Sequence, residues 1–443
     1  MDKSVKILIL NQPFDNQTGG GITLSNLFEG INPDQIAIVC AAQLVNTHTN
    51  FEKSNHYYQL GSLEQHWRFP FSQMSSKNFS GSIGKNQEES KTLGSTLKKK
   101  SLKGKIVNEM VFPMVKYLGV YQASYSLEPS EQLLAWIENF NPTVIYAQAH
   151  NIQQVRFCQQ ILDAIDIPFI FHMMDDWVSL ASQSKFSKLI WKKTTEDEFE
   201  KLLLSSDKVL TISDYMAEEY QSRYGINSEV FHNPVDEEFW TRHQKADLTL
   251  STHPTILYAG RVGLGIDSSL ILMAKAVAKL NQKLTIKVNF VVQTENQPDW
   301  IQKYENVSYR ELAPYGDLPY IFANADLLFL PYDFSEESIE FIKFSMPTKA
   351  SEYMICGTPI LILAPNDTAI VKNALKLGWA SVLTENSLEK LTESLSSLLF
   401  DPTSRLRVSE SGRNVATNYH TKTMVQKRFF KILNDCSTKK DHG

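Results

Sequence analysis

The chain has 443 residues, with 44 Lys plus Arg against 49 Asp plus Glu for a formal charge of −5, and 42% of its residues are hydrophobic. That composition excludes collagen-like, wholly disordered and disulfide-stapled chains, and at roughly 150 residues per domain the length predicts two or three domains. Cys40, Cys158, Cys356 and Cys436 show no CxxC or Cys/His spacing, so a reduced compartment is expected and structural zinc is not. MDKSVKILILNQPF lacks a small-residue cleavage site and no long apolar run follows, which predicts a cytoplasmic chain with at most peripheral membrane contact.

The first predicted strand, residues 6–10, is a continuous apolar run of the kind buried on both faces of a parallel sheet. Gly19, Gly20 and Gly21 follow, and a helical pattern opens at Thr23 with Ile22, Leu24, Leu27 and Phe28 on its apolar face. Strand, glycine loop and helix are how a nucleotide-type α/β domain begins. Strands over 36–41, 143–147, 168–172, 209–212 and 230–232 alternate with helical stretches such as 131–140, predicting a parallel sheet. Residues 72–105 interrupt the pattern; rich in Ser, Gly, Lys, Gln and Asn, they predict a mobile loop. The loop ends on Lys98, Lys99, Lys100, Lys103 and Lys105, before the apolar, aromatic-bearing segment 106–121. Two readings stay open there: a patch docking on an anionic membrane or a lipid-linked acceptor, and a solvated linker into a core helix.

A polar stretch over 237–251 marks the domain boundary, and a second α/β series begins with a strand over 255–259. Gly260, Arg261, Gly263 and Gly265 come next, then a helix over 268–280 and strands over 286–292, 327–330 and 359–363. The last helical stretch, near 423–433, is the candidate to cross back onto the first domain.

Ligand sites in such folds gather at the carboxyl ends of the strands, so the candidates stand just after strands. Gly20 and Gly21 offer close backbone approach to a phosphate at a helix start, or a plain tight turn. Arg261 offers bidentate bonds to phosphate oxygens, or a surface salt bridge. In SMPTKASEYMICGTP, residues 345–359, the turn into a helix makes the amides of Ser345, Met346, Pro347 and Thr348 an anion site. Lys349 and Glu352, three apart, share a helix face: one cation for a diphosphate and one carboxylate for ribose hydroxyls, or an intrahelical ion pair worth about 0.2–0.5 kcal/mol.

YAGR at 258–261, VLTISDYM, YGINSEVFHNPVDEEFW, LPYIFANADLLFLPY and KASEYMICGTPIL, in that order, resemble the retaining nucleotide-sugar glycosyltransferases of the GT-B fold, in particular the GT4-type group. The resemblance spans residues 168–430 and the first strand. It implies two Rossmann-like α/β domains facing each other across a cleft, with residues 1–235 for the acceptor and 250–415 for the donor, and 416–443 returning to the first domain. By the same resemblance Glu352 matches the second glutamate of the family's E-x7-E element, which holds the donor ribose. Arg261 matches the arginine that neutralises the donor diphosphate, and Gly20 and Gly21 match the glycine loop near the donor phosphates. His150 falls where the family places an active-site histidine facing the donor sugar, the alternative being a packed loop residue. His172 follows the next strand, and Asp175 and Asp176 line the acceptor side or cap the following helix.

Two departures stand out. Phe344 occupies the place of the family's first glutamate, and FSMPTKASEYM is similar to the PxK variants of polysaccharide-assembly enzymes. GRVGLGID has Ile266 and Asp267 where a lysine usually follows the arginine, a role that Lys349 takes over by charge. The expected activity is retaining transfer of a hexose-type residue from a nucleotide diphosphate sugar to a glycan or lipid-linked acceptor. No DxD motif is present, so no metal is predicted, nor any cofactor or nucleic-acid partner. The rival is a non-catalytic, glycosyltransferase-like partner or sugar-binding subunit, with a nucleotide-sugar epimerase ranked below both.

Overall fold

The computed structural model of the chain describes residues 5–15, 19–69, 78–84, 124–180, 185–245 and 247–438. It divides into two units, one of Met1–Ile212, Ala217–Phe231 and Gln426–Gly443, the other of Ser213–Met216 and His232–Val425.

The first unit runs β1 (Ile7–Leu10), α1 (Gly19–Leu27), β2 (Ile36–Ala41), β3 (His56–Leu60), β4 (Gln65–Trp67), β5 (Gly81–Ile83), β6 (Tyr125–Leu127), α2 (Glu131–Phe140), β7 (Val144–Ala147), α3 (Ile152–Ala164), β8 (Phe169–Met173), α4 (Trp177–Leu180), α5 (Lys185–Leu204), β9 (Lys208–Thr211), α6 (Asp214–Tyr224) and β10 (Ser228–Val230). Its eight-stranded sheet has the order β10-β9-β8-β7-β1-β2-β3-β5, and β4 and β6 pair separately. All four residues of β1 are buried, as a parallel strand covered on both faces requires. The order reverses between β1 and β7, which run in parallel register from Ile7↔Val144 to Leu10↔Ala147. Loops leaving such a pair diverge and open a crevice. Asn11 ties the two loops together from a left-handed backbone, φ 73°. Its Nδ2 donates to the Gln148 carbonyl at 2.8 Å and to Cys158 Sγ at 3.3 Å.

The second unit runs α7 (Glu237–Thr241), β11 (Thr255–Ala259), α8 (Asp267–Asn281), β12 (Asn289–Gln293), β13 (Val307–Arg310), α9 (Leu318–Asn324), β14 (Leu327–Pro331), α10 (Glu336–Ile342), α11 (Lys349–Cys356), β15 (Ile360–Leu363), α12 (Ala369–Leu377), β16 (Ser381–Leu383), α13 (Leu388–Phe400) and α14 (Pro402–Val415). Its six strands lie in the order β13-β12-β11-β14-β15-β16, reversing between β11 and β14. Ile256, Phe290, Phe329 and Leu361 from the sheet pack with Leu270, Val277 and Leu395 from the helices in one buried cluster. The last helix, α15 (Lys422–Ser437), carries the chain back to the first unit from Gln426 onward. Phe429 is wedged there, its ring centroid 5.0 Å from Phe28 and 5.9 Å from Tyr146, and Gln426 Nε2 donates to the carbonyls of Asn26 and Glu29 at 2.9 and 3.0 Å.

Three expectations are corrected. Helix α1 begins at Gly19, so Gly20 and Gly21 lie in its first turn rather than in a loop before Thr23. The strand expected over 230–232 is β10, Ser228–Val230, because its partner β9 ends at Thr211, whose carbonyl takes the last ladder bond from the Phe231 amide at 2.9 Å. Within 72–105, residues 81–83 form β5, antiparallel to β3 with Tyr57↔Ile83 in register. Polar contacts that composition does not reveal hold this segment: Gln59 Nε2 donates to the Phe79 carbonyl at 2.7 Å and Leu63 N to Ser80 Oγ at 2.9 Å. The rest of that segment, with Lys98–Lys105 and residues 106–121, lies outside the described residues. Among the described residues no helix is long and apolar enough to cross a membrane.

The Asn11 tie separates backbone from side-chain effects. Asn11→Ala and Asn11→Gly lose the same hydrogen bonds, but only alanine meets the steric penalty of a left-handed backbone. Asn11→Ala is expected to lower the unfolding free energy by about 1 kcal/mol more than Asn11→Gly, as measured by urea denaturation.

Candidate functional site

The charged candidates of the second unit converge on the carboxyl end of β11. Ala259, its last residue, is gripped twice by α11: its amide donates to the Tyr353 hydroxyl at 3.2 Å, and its carbonyl accepts from Lys349 Nζ at 2.7 Å. Lys349 and Tyr353 are four apart and so share one face of the helix. The Lys349 ammonium also lies 4.4 Å from the centre of the Tyr258 ring. Gly260 follows with φ 150°, and a Cβ there would run into the Lys349 amine and the Tyr258 hydroxyl, so glycine is required.

Glu352, 5% exposed, stands behind this amine with the Tyr315 hydroxyl bonded to its carboxylate. Tyr315 is itself held by stacking on Phe239, centroids 5.4 Å apart, and by an edge contact with Trp240. Burial pushes the Glu352 carboxyl up to about 8, against the pull of Lys349 and Tyr315. Burial also lowers the Lys349 amine to about 7; the Arg261 charge adds to that, and Glu352 opposes it. The intrahelical ion pair does not form, since Lys349 turns to Ala259 and no ion pair joins it to Glu352 among the described residues.

Arg261 is exposed and has no ion pair among the described residues. Its Nη1 donates to the Leu264 carbonyl at 2.8 Å, and its Cζ lies 5.4 Å from the centre of the Phe341 ring. The start of α8, in contrast, already has its anion. Asp333 accepts from the amides of Ser268 and Ser269 at 3.2 and 2.8 Å, and Asp267 from Gly263 at 2.9 Å. The loop after β11 therefore offers Arg261 rather than an open helix start.

The expected four-amide site at 345–348 is smaller than anticipated. Pro347 has no amide hydrogen, and the Ser345 amide donates to the Ile342 carbonyl at 3.1 Å, leaving at most Met346 and Thr348. Met346 is buried. Asn233 braces the start of α11, donating to the Thr348 carbonyl at 3.3 Å and accepting from Ser351 Oγ at 2.9 Å. Phe344 is buried, with its ring 4.9 Å from Tyr215 and its carbonyl accepting from Ser213 Oγ at 2.7 Å.

In the first unit His150 is exposed beyond β7, with its amide donating to Gln154 Oε1 at 2.7 Å. The protein around the ring lowers its pKa, while Asp175, also exposed, raises it. His172 does not follow its strand, as expected from sequence; it lies within β8, fully buried, its Nδ1 2.7 Å from the Tyr146 hydroxyl, and burial pushes it down to about 3. It presents no face to an acceptor. Asp176 is committed to the protein as well, accepting from Ser179 Oγ at 2.6 Å and from the Tyr220 hydroxyl at 3.3 Å, with Arg223 at 3.6 Å. A Cβ on Gly20 would make only ordinary contact with Gln12, so sterics alone do not demand a glycine there.

Sequence reasoning missed Tyr258, Tyr315, Tyr353, Asn233 and Phe341. Tyr258, Asn233 and Tyr353 stand inside quoted motifs, whereas Tyr315 and Phe341 are brought in by folding alone.

The raised Glu352 pKa has a consequence for stability. A carboxyl whose folded pKa exceeds its unfolded value contributes stability fully below the unfolded pKa and loses it as pH rises through the folded one, here from 4.5 to about 8. Glu352→Gln is expected to match wild type near pH 5 and to melt about 2–4 °C higher near pH 8.5, the shift of roughly 1 kcal/mol in a unit of this size. Thermal melts across that range test it.

The model of Glycosyltransferase Family 4 matches residues 96–239. No curated protein matches the chain. Among solved structures, sucrose-phosphate synthase from Thermosynechococcus elongatus is similar at 12% identity and TM-score 0.62, over 97% of this chain and 98% of that one. Anabaena HepE in complex with UDP-glucose is similar at 12% identity and TM-score 0.57, over 97% and 99%. An α,α-trehalose-phosphate synthase (UDP-forming) from Burkholderia xenovorans, in complex with glucose-6-phosphate, is similar at 11% identity and TM-score 0.59, over 97% and 100%. These likenesses establish the fold: the chain is built as a GT-B protein, two Rossmann-like units with its last helix returning to the first.

Proposed function

We propose that the chain transfers a sugar from a nucleotide diphosphate sugar to a glycan or lipid-linked acceptor, with retention of anomeric configuration and without a metal. The observation that carries this reading is the pair Arg261 and Lys349 at the β11/β14 switch point, neither ion-paired among the described residues, with the buried carboxyl of Glu352 behind them. The family match and the nucleotide-bound neighbours support it. Two cations beside a low-dielectric helix start suit a diphosphate that gains charge as it leaves the sugar. Lys349 supplies charge on demand, because an arriving anion raises its pKa and captures a proton. Glu352, pushed up to about 8 and so mostly protonated at neutral pH, can both accept from and donate to a pair of ribose hydroxyls. His150, with Asp175 tuning it, is the candidate to act at the transferred sugar.

A second reading is favoured by Phe344. Its ring is buried against Tyr215, so no carboxylate stands at that position. A chain that binds the nucleotide without turning it over, as a partner subunit, would tolerate that loss.

Calorimetry with UDP, GDP and ADP separates the outcomes. One of them is expected to bind, with affinity falling as pH rises above about 7, because the bound form needs protonated Lys349. Arg261→Ala and Lys349→Met should each weaken binding about 10- to 100-fold, the size of a lost charged hydrogen bond, and Lys349→Met should flatten the pH profile. Slow hydrolysis of the matching nucleotide sugar, lost in His150→Ala, supports the transferase. Binding without turnover on any acceptor favours the partner subunit, and no binding overturns the donor site.

A further inference from the structure

Phe341 lies directly against Arg261, the exposed charge of the candidate site. The guanidinium carbon of Arg261 is 5.4 Å from the centre of its ring, and Arg261 Nη1 is held on the other side by the Leu264 carbonyl at 2.8 Å. A Cβ on Gly265 would touch both partners, at 3.9 Å from Arg261 Nη2 and 3.9 Å from Phe341 Cδ1, so the glycine lies beneath the contact. Gly265 has φ 83°, and its carbonyl accepts from the Asp333 amide at 2.8 Å, which fixes the loop after β11 to the loop after β14. Helix α10 is seated by Ile342 and Ser338, both 2% exposed, while Phe341 is 36% exposed and Leu264 49%. The ring is therefore only partly packed against the unit and keeps a face for the guanidinium.

The geometry points to Phe341 as a positioning residue for the diphosphate-binding arginine. This rests on the donor-site reading of Arg261. An exposed arginine has many rotamers, and a ligand that must order it loses affinity in doing so. Ring face and carbonyl together hold the guanidinium plane before any ligand arrives. They use one of its five N–H donors and leave the rest for phosphate oxygens. The ring has no acceptor to compete with the ligand, which a carboxylate in its place would do.

The test is a double-mutant cycle read by calorimetry with the nucleoside diphosphate that binds wild type most tightly. Phe341→Leu keeps bulk and removes the π face; Phe341→Trp keeps a π face. Phe341→Leu is expected to raise Kd about threefold, the size of an exposed cation–π contact, and Phe341→Trp to stay near wild type. In an Arg261→Ala background Phe341→Leu should cost nothing more, and the melting temperatures of both single variants should stay near wild type. A merely structural role would lower affinity equally in both backgrounds, and that result overturns the inference. So does an unchanged Kd in Phe341→Leu when Arg261→Ala weakens binding. If Arg261→Ala itself leaves Kd unchanged, or no nucleotide binds wild type, the donor-site reading fails and takes the positioning role with it.

Discussion

The second unit depends on how the last residue of β11 satisfies its backbone. Pairing with β12 continues to Ala259↔Gln293, but pairing with β14 covers only Ile256↔Leu327 and Leu257↔Leu328. Beyond Leu257 the sheet offers β11 no ladder partner on that side, and a buried peptide group without one is costly. Helix α11 supplies the missing partners from side chains, the Tyr353 hydroxyl for the amide and the Lys349 ammonium for the carbonyl. A structural need thus places a cation at the switch point. The need for a glycine at 260 follows, because any Cβ there would displace that cation.

The same arrangement sets the electrostatics. Buried, with Arg261 nearby, Lys349 meets an environment that disfavours its charge even though a tyrosine ring and a carbonyl receive it; Glu352, buried one turn on, meets the mirror situation. A lysine charge that is costly alone becomes favourable when an anion enters, because little water screens the attraction, and the same anion keeps Glu352 protonated. The start of α8 shows the opposite solution. Its positive end is neutralised by Asp333, so the unit closes one helix start with its own carboxylate and places a lysine, held by the Ala259 carbonyl, at the start of α11.

The fold was legible in the sequence because continuous apolar strands, glycine turns and amphipathic helices repeat in order, and most strands differ from expectation only at their ends. Lys349 and Glu352 were legible as a pair because helical spacing is fixed. Their partners were not: Ala259 lies 90 residues from Lys349, and no local pattern announces that contact. His172 misled for a related reason. Read at the end of an apolar run it looks like a strand-end residue, whereas the β8 pairing extends through Met173↔Thr211 and draws the ring into the core, where its Nδ1 meets the Tyr146 hydroxyl. The helix start at 345–348 misled through chemistry, since a proline within the four removes one of the donors being counted.

Phe344 is the deepest departure from the expected pattern, and its surroundings make it more than a point substitution. Its carbonyl accepts from Ser213 Oγ, which also accepts from the Met216 amide at 3.1 Å, so the backbone at 344 is pinned with its ring turned inward. Tyr215 covers the ring, and Lys343 and Lys372 lie over Tyr215 while sharing Asp367 at 2.8 and 3.0 Å. A carboxylate in place of Phe344 would enter an aromatic pocket whose nearest cations are already engaged, and would have to be buried without a free partner. This corner is packed around an aromatic ring. On the proposed function, stabilisation of a departing diphosphate within this unit falls to Arg261, Lys349 and at most the Met346 and Thr348 amides, which makes the geometry of those few donors the constraint on that chemistry.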